Sequence, residues 1–245
     1  MMIKMLFPIT KFFCTFQPYN APRLLEQRYP TIYPIAPVNP GANLNCIYPE
    51  YRDYGQNYRA APTKISRSEL DLTNALRMLW EQHVAWTRMT IISIIASLPD
   101  VDLVTKRLLR NPIDSAKALK PFYGNRIASK FSDLFTKHLV IAAELVKAAK
   151  AGNKEAAADA EKRWYANADE IAAFLASINP YWSQEDWKTM LHDHLALTKS
   201  EAVAILTGNY AEGIRLYDEI EKQALKMADV MAKGIVKQFP EKFTR

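Results

Sequence analysis

Two stretches of the chain repeat the same arrangement of residues at a constant separation. The segments "KHLVIAAELVKAAKAGN" (137–153) and "DHLALTKSEAVAILTGN" (193–209) each place a histidine, a leucine, an apolar run and a Gly-Asn pair in the same order. His138 and His194 are 56 positions apart, and so are the two glycines. Glycine suits the left-handed conformation that ends many helices, and asparagine can cap the helix that follows. The repeat predicts two helical hairpins built on one plan.

The apolar spacing between residues 66 and 240 predicts an all-α, up-and-down bundle of about five long antiparallel helices with a duplicated helical hairpin. Apolar residues recur at intervals of three and four, as on one face of a helix. Ser66 followed by Glu69, and Ser183 followed by Asp186, are typical helix starts. The predicted long helices cover about 66–98, 122–151, 154–178, 184–207 and 210–239.

Residues 101–120, between the first two long helices, have the pattern of two short helices broken at Asn111-Pro112. The bundle therefore spans residues 66–245, with the internal repeat at 122–180 and 183–240. The residue before a proline disfavours the helical conformation, which places the break at this dipeptide. No strand pattern interrupts the helical part.

Residues 1–65 differ in character from the rest and form an irregular, basic extension rich in proline and tyrosine. Proline removes backbone donors, so this segment is expected to be extended or irregular. Two interpretations remain open: a tail or arm laid over the helices, or an adhesive segment whose tyrosine and arginine side chains bind other chains. The second predicts self-association, or binding of other proteins, through the extension.

The distribution of charge excludes several classes of function. The net charge is +6, but residues 1–67 hold eight basic and three acidic residues, whereas the other 178 hold 24 and 23. A bundle with nearly equal numbers of basic and acidic residues gives no indication of nucleic-acid binding.

Cys14 and Cys46 alone provide neither a disulfide framework nor a four-thiolate zinc site. The longest apolar run, 89–98, is too short to span a membrane, and a cytoplasmic protein is expected.

Three histidines occupy positions on the inward stripes of three predicted helices: His83, His138 and His194. Asn167 lies on the stripe of another helix, and Gln223 is its counterpart at the 56-residue separation. Buried polar groups need partners. One interpretation is therefore a network of neutral histidines that bond to Asn167, Gln223, Thr87, Thr198 or the backbone.

The other interpretation is a metal site for a zinc or iron ion. Its ligands would be His83, His138, His194 and Glu201, which lies two turns after His194 on the same face. Di-iron bundles use a Glu-x-x-His motif. This chain has no such motif, because Trp80, Phe135 and Leu191 precede the three histidines by three residues.

No catalytic motif is recognised, so the catalytic residues are unknown and the expectation leans away from an enzyme. Trp80 and Trp86 flank His83 and could line an apolar pocket, with Asn167 and Gln223 as further cofactor-binding candidates; aromatic residues at this spacing are more often core. For Arg88 we expect a surface salt bridge. For Asp169 and Asp229 we expect ion pairs with Arg163, Lys162 or Lys233 rather than a catalytic pair of carboxylates.

Several strings in residues 76–240 resemble an uncharacterised helical family of spore-forming Firmicutes: "RMLWEQHVAWTR", "KRLLRNP", "RWYANADEIAAFLASINPYW", "HLALTKSEA" and "QALKMAD". The resemblance does not cover the proline- and tyrosine-rich extension. That family has no established activity, so no catalytic residue is carried over. The resemblance implies a bacterial helical protein with a spore-associated role.

Together these observations predict a non-enzymatic helical bundle that acts in binding or assembly. The alternative is a bundle that binds a transition metal through its inward histidines, with a redox or storage role.

Overall fold

The structure, a computed structural model, describes residues 65–244. This part of the chain is an all-α bundle without β-strands, as predicted. The predicted extension, 1–65, lies outside the described residues apart from Ile65. The helices are α1 (Arg67–Ala96), α2 (Val101–Leu108), α3 (Asn111–Lys150), α4 (Lys154–Ile178), α5 (Gln184–Leu206) and α6 (Tyr210–Gln238), followed by a 3-10 turn (Pro240–Phe243).

The predicted helix starts are confirmed by their capping bonds. The Ser66 side chain accepts a hydrogen bond from the Glu69 amide at 3.1 Å at the start of α1. The Ser183 side chain accepts one from the Asp186 amide at 3.2 Å at the start of α5. Each serine satisfies one of the amides that a first turn leaves without an intrahelical partner.

The turns α3–α4 and α5–α6 have the same hydrogen bonds at the same 56-residue separation. Gly152 and Gly208 adopt left-handed φ values of 69° and 77°, which suit glycine because it has no Cβ. The next residues, Asn153 and Asn209, each cap the following helix with the side-chain oxygen. Their own amides bond back to equivalent carbonyls, at 3.0 Å and 2.8 Å. The two hairpins therefore share one turn geometry.

The break that the sequence places at Asn111-Pro112 separates α2 from α3, and a second break lies inside α3. Pro112 occupies the first turn of α3, where a missing amide costs little. Gly124, with φ 75° and ψ 173°, is not helical and divides α3 into an early arm, 111–123, and a long arm, 125–150. The predicted start of the long helix near residue 122 falls at this kink.

The five long helical segments form a closed ring. Its order is α1, the long arm of α3, α4, α5 and α6, and α6 packs against α1 to close it. We call the end of the bundle near Gly152 and Gly208 the upper end. The early arm of α3 returns along α1: the Asn111 side chain donates to the Leu79 carbonyl, and Tyr123 reaches Gln238 at the lower end. The chain thus alternates direction from α1 to α6.

Aromatic residues fill the lower half of the bundle. Trp182, in the α4–α5 connection, is buried and packs its indole directly on the backbone of Gly234 in α6. Trp187 stacks on Trp80 of α1, with ring centroids 6.5 Å apart. These contacts join α1, α5 and α6 below the middle of the ring.

Within residues 65–244, no helix combines the length and the apolar character that crossing a membrane requires.

Candidate functional site

The three inward histidines lie in one layer at the middle of the bundle. His83, His138 and His194 are each 3% exposed. All three rings line a single cavity of about 20 Å³, which apolar and aromatic side chains complete. A cavity of this volume has room for about one water molecule. The structure thus brings together the three imidazoles that sequence reasoning placed on inward stripes.

The ring of His138 is held at both nitrogens. Trp164 donates from its indole N–H to Nε2 at 3.1 Å. Because indole can only donate, Nε2 accepts and the proton resides on Nδ1. Nδ1 then donates to Oδ1 of Asn167, at a distance of 2.9 Å. The Asn167 amide in turn donates to the Leu134 carbonyl at 3.3 Å. One tautomer and one ring orientation follow from this chain of bonds.

The second hairpin repeats this arrangement with a longer side chain. Nδ1 of His194 lies 3.2 Å from Oε1 of Gln223. The Gln223 amide donates to the Met190 carbonyl at 3.0 Å. Each residue stands 56 positions after its counterpart in the first hairpin. Asn167 and Gln223, predicted as candidate cofactor-binding residues, therefore orient histidines.

His83, on α1, lies between the two hairpins. Its ring centroid is 5.6 Å from that of His194 and 5.0 Å from that of Phe135. Nδ1 of His83 is buried and has no hydrogen-bond partner within the described residues. The expected partners Thr87 and Thr198 do not bond to the histidines; their hydroxyls likewise lack partners in this part of the chain.

Burial keeps all three imidazoles neutral. It lowers the pKa of His138 to about 3, although the bond to Asn167 opposes the shift. It lowers the pKa of His194 to about 4, against the bond to Gln223. The pKa of His83 falls well below its usual value, first through burial and then through the neighbouring His194 and His138. Removing a charged imidazole from water is unfavourable, so the neutral form predominates at pH 7.

Glu201, the fourth predicted metal ligand, does not line the histidine cavity. Its carboxylate pairs with the Arg88 guanidinium, which also donates to the Gly213 carbonyl at 3.0 Å and lies over the ring of Tyr217. The expectation of a surface salt bridge for Arg88 is wrong, because the Glu201 side chain is 2% exposed. Burial raises the pKa of Glu201, and Arg88 opposes that shift.

The predicted metal set is thus only partly assembled. Both ring nitrogens of His138 have partners, and Glu201 is paired with Arg88. Among residues 65–244, no group of three or more His, Cys, Asp or Glu side chains is placed to hold a metal ion. The metal assignment itself stays a prediction.

The two tryptophans predicted to share a pocket lie in different places. Trp80 lies in the core beside His83. Trp86 packs against Arg107, whose guanidinium carbon is 4.8 Å from the centroid of the Trp86 ring. The two aspartates are ion-paired, as expected, but with other partners. Asp169 contacts Lys188 and His192. Asp229 contacts Arg77, because the helices that face them are α5 and α1.

A much larger cavity, of about 300 Å³, occupies the upper half of the bundle. It lies between α1, the long arm of α3, α4 and α5, and Leu108 of α2 contributes to its wall. Neither Trp80 nor Trp86 lines it. Its buried wall is almost entirely aliphatic, and the indole of Trp164, the donor to His138, also contributes. The buried aliphatic residues of this wall include Ile91, Ile94, Leu139, Leu145 and Val146.

Small side chains create this volume. Six alanines from three helices line the cavity: Ala142, Ala143, Ala149, Ala157, Ala158 and Ala202. Its exposed lining residues lie on α4 and α5, where the two hairpins meet, and they mark the mouth: Lys154, Ala158, Lys199, Val203 and Leu206. At this mouth Lys199 is ion-paired with Glu161.

Two threonines in the cavity wall have hydroxyl groups that turn away from the open space. Thr87 and Thr198 both line it, and both hydroxyl oxygens are buried without a partner among the described residues. Thr90 lines the same cavity, but its hydroxyl donates to the Trp86 carbonyl at 2.8 Å. Helical threonines commonly bond to the carbonyl four residues earlier. The hydroxyls of Thr87 and Thr198 do not make this bond.

Sequence reasoning missed this cavity because alanine on an inward stripe also suits a closely packed interface. The difference between the repeats gives no signal for it either. At the 56-residue separation, Ala142 corresponds to Thr198 and Leu145 to Glu201, and Glu201 does not line the cavity.

The fold and the site define an all-α bundle with a buried histidine layer and an apolar internal cavity. Comparisons of the chain with protein-family models, with curated proteins and with solved structures gave no match. The resemblance to the spore-former family stays a prediction.

Proposed function

We propose that this protein is a non-enzymatic binding protein that holds a small apolar molecule in the upper cavity. The observation that supports this most is the cavity itself, about 300 Å³ and lined by aliphatic side chains. Pockets for small molecules measure roughly 300–1,000 Å³ and are mainly apolar. The volume therefore lies at the lower end of the range for a ligand site.

The energetic cost of such a cavity argues for a use. Apolar wall atoms that face empty space lack packing partners, so an unfilled apolar cavity lowers stability. Substitution of one or two of the six alanines by leucine would fill much of the space. A bound apolar molecule offsets the same cost without any change in sequence.

The histidine layer fits a supporting part in this proposal. His138 and His194 are neutral and bonded to neighbouring side chains, so they orient the helices around the cavity floor. Trp164 links the two regions, because its ring lines the cavity and its N–H bonds to His138. This arrangement favours a positioned wall for a ligand over an acid–base centre.

Ethylbenzene, with eight heavy atoms, is a suitable probe for the proposed function. Titration of the full chain should shift the methyl NMR signals of Ile91, Leu139 and Val146 and change the fluorescence of Trp164. At about 0.8 kcal/mol per buried carbon, the gross gain corresponds to a dissociation constant no tighter than the micromolar range.

The variant Ala202→Leu should fill part of the cavity, weaken the ethylbenzene effect and raise the melting temperature of the ligand-free protein. Ala196→Leu, on the exposed face of the same helix, is the matched control and should change neither. Absence of ethylbenzene binding to the unsubstituted chain would overturn the proposed function.

The alternative function is metal binding through His83, His138, His194 and Glu201, with zinc or iron as the ion and a redox or storage role. It requires His138 to exchange a hydrogen bond for a metal bond, and Glu201 to leave Arg88. Elemental analysis of the untagged full chain tests it. About one equivalent of bound metal would favour this alternative; no metal, and no melting shift on adding zinc or iron, would retire it.

The proposal also includes self-association, or binding of other proteins, through residues 1–65. It further includes a spore-associated or cytoplasmic location. Deletion of these residues should leave the helical content unchanged while weakening self-association or localisation. Equal sedimentation and equal cellular distribution of the full chain and the deletion variant would count against this part.

A further inference from the structure

We infer that the upper cavity holds the hydrocarbon chain of a medium-chain carboxylate, with the chain among the aliphatic side chains and the carboxylate at Lys154 in the mouth. This inference rests on the proposed function and names the class of its ligand. A chain of about eight carbons, at roughly 30 Å³ each as for a molecule of liquid water, fits within about 300 Å³.

Within the part of the chain that the structure describes, the deep wall of the cavity offers no partner to a polar group. The hydroxyls of Thr87 and Thr198 turn away from the open space, and that of Thr90 donates to a backbone carbonyl at 2.8 Å. The indole N–H of Trp164 is bonded to His138 at 3.1 Å. Burying a polar group without a partner is unfavourable. The polar end of a ligand therefore lies at the mouth, and its apolar part lies inside.

The mouth of the cavity combines apolar and basic side chains. On the α5 side, Val203 and Leu206 are 47% and 38% exposed. On the α4 side, Lys154 and Ala158 are exposed. A lysine packs its methylene groups on apolar surface and keeps its ammonium group in water. A hydrocarbon chain that leaves the cavity here meets apolar contacts first and an ammonium group at the end.

The charges that line the cavity favour an anion over a cation at the mouth. The charged lining residues are Lys154, Glu161 and Lys199, two cations and one anion. Lys199 and Glu161 are ion-paired at 2.5 Å. The ion pairs that α4 makes within residues 65–244 do not include Lys154. Its ammonium group is therefore available to a carboxylate, whereas the Glu161 carboxylate already has a cation.

The test compares octanoate with octylamine on the full chain at pH 7. The two probes have chains of similar length and end groups of opposite charge. We expect octanoate to displace ethylbenzene and to bind about threefold more tightly than octylamine, as for one partly exposed ion pair.

The variant Lys154→Glu should raise the dissociation constant of octanoate about tenfold, because it replaces an attraction by a repulsion. A glutamate suits the first turn of a helix, so α4 should still form. Lys162→Glu, at an exposed position of α4 outside the cavity lining, is the matched control and should change that constant by less than about twofold. Ethylbenzene should bind both variants as it binds the unsubstituted chain.

The variant Glu161→Gln should act in the opposite direction. It releases Lys199 from its ion pair and adds a second available ammonium group at the mouth. The dissociation constant of octanoate should therefore fall about threefold.

Octylamine binding as tightly as octanoate, or an octanoate affinity that Lys154→Glu leaves unchanged, would overturn this inference. So would octanoate binding that does not displace ethylbenzene, since the carboxylate would then lie at another site. Ethylbenzene separates the two levels: if it binds while octanoate shows no dependence on Lys154, only the ligand class fails. If ethylbenzene does not bind, the proposed function fails as well.

Discussion

His138 and Asn167 are joined by a 2.9 Å hydrogen bond between α3 and α4, fully inside the bundle. His194 and Gln223 repeat the contact in the second hairpin at 3.2 Å. Asn167 is fully buried, whereas Gln223 is partly exposed. The same contact thus occurs once in a dry environment and once near water, and this difference is measurable.

Replacing the two amide residues should therefore have unequal effects. Asn167→Ala leaves the N–H of His138 buried without an acceptor, and we expect a loss of about 2–4 kcal/mol in the free energy of unfolding. Gln223→Ala lets water reach the ring of His194 and should cost about 1 kcal/mol. Urea denaturation of both variants checks this; a loss for Gln223→Ala equal to or larger than that for Asn167→Ala would contradict it.

Acid should destabilise the bundle through its histidines. An imidazole has a pKa near 6.5 in the unfolded chain. The native values are about 3 for His138 and about 4 for His194, and that of His83 is also well below 6.5. Between pH 6.5 and about 4 the unfolded state binds more protons. The free energy of unfolding should fall as pH falls, by up to about 1.4 kcal/mol per pH unit for each histidine.

Urea unfolding at pH 7, 6 and 5 measures this slope. His83→Leu removes one of the three groups and should reduce the slope by about one third. Phe135→Leu, which alters the packing beside His83 without removing a titrating group, should keep the full slope. An identical slope for His83→Leu and the unsubstituted chain would show that His83 is not held neutral.

Gly234 should tolerate no side chain, because a Cβ there would overlap the indole of Trp182. The indole also donates to the Val230 carbonyl at 3.3 Å, which limits its freedom to move. We expect Gly234→Ala to lower stability by about 1–3 kcal/mol through overpacking. Gly213→Ala is the control on the same helix: its Cβ would lie 3.4 Å from the nearest side-chain carbon, in ordinary contact. It should be neutral, or stabilising by up to about 1 kcal/mol.

These outcomes are read from thermal melts of the two variants. Equal melting temperatures for Gly234→Ala and Gly213→Ala would mean that Trp182 does not pack on Gly234 as described.

Removing only Arg88 from the Arg88–Glu201 ion pair should lower the free energy of unfolding strongly, whereas replacing both residues by apolar ones should lower it little. Arg88→Met leaves the Glu201 carboxylate buried without its cation, with an expected loss of about 3–5 kcal/mol. Glu201 occupies the position that Leu145 holds in the first hairpin. The double variant Arg88→Met/Glu201→Leu should therefore recover most of that loss. A double variant that is no more stable than Arg88→Met would contradict this account.

The helical plan could be predicted because its causes are local. Ser66 and Ser183 cap helices by bonding to amides three residues away, and glycine–asparagine pairs form the two turns. Period and separation suffice for such features. Position on the stripes also indicated that Asn167 and Gln223 are among the histidine partners, but not which histidine bonds to which amide, nor that Thr87 and Thr198 do not take part.

Contacts that depend on how helices pack could not be predicted in the same way. Arg88 and Glu201 are 113 residues apart, and only the neighbourhood of α1 and α5 unites them. The cavity depends on how α1, α3, α4 and α5 pack around it, which the alanines permit but do not determine. The reversal at Gly124 depends on a φ of 75° that the sequence allows without requiring it.

The central claim is that the bundle keeps an apolar cavity that accepts a ligand. A crystal structure of the full chain under xenon pressure tests this most directly, because xenon enters apolar cavities without needing hydrogen bonds. We predict xenon density between Ile91, Leu139 and Val146, and weaker density there in Ala202→Leu. A structure with α4 and α5 closed over these residues, and no xenon between them, would contradict the account.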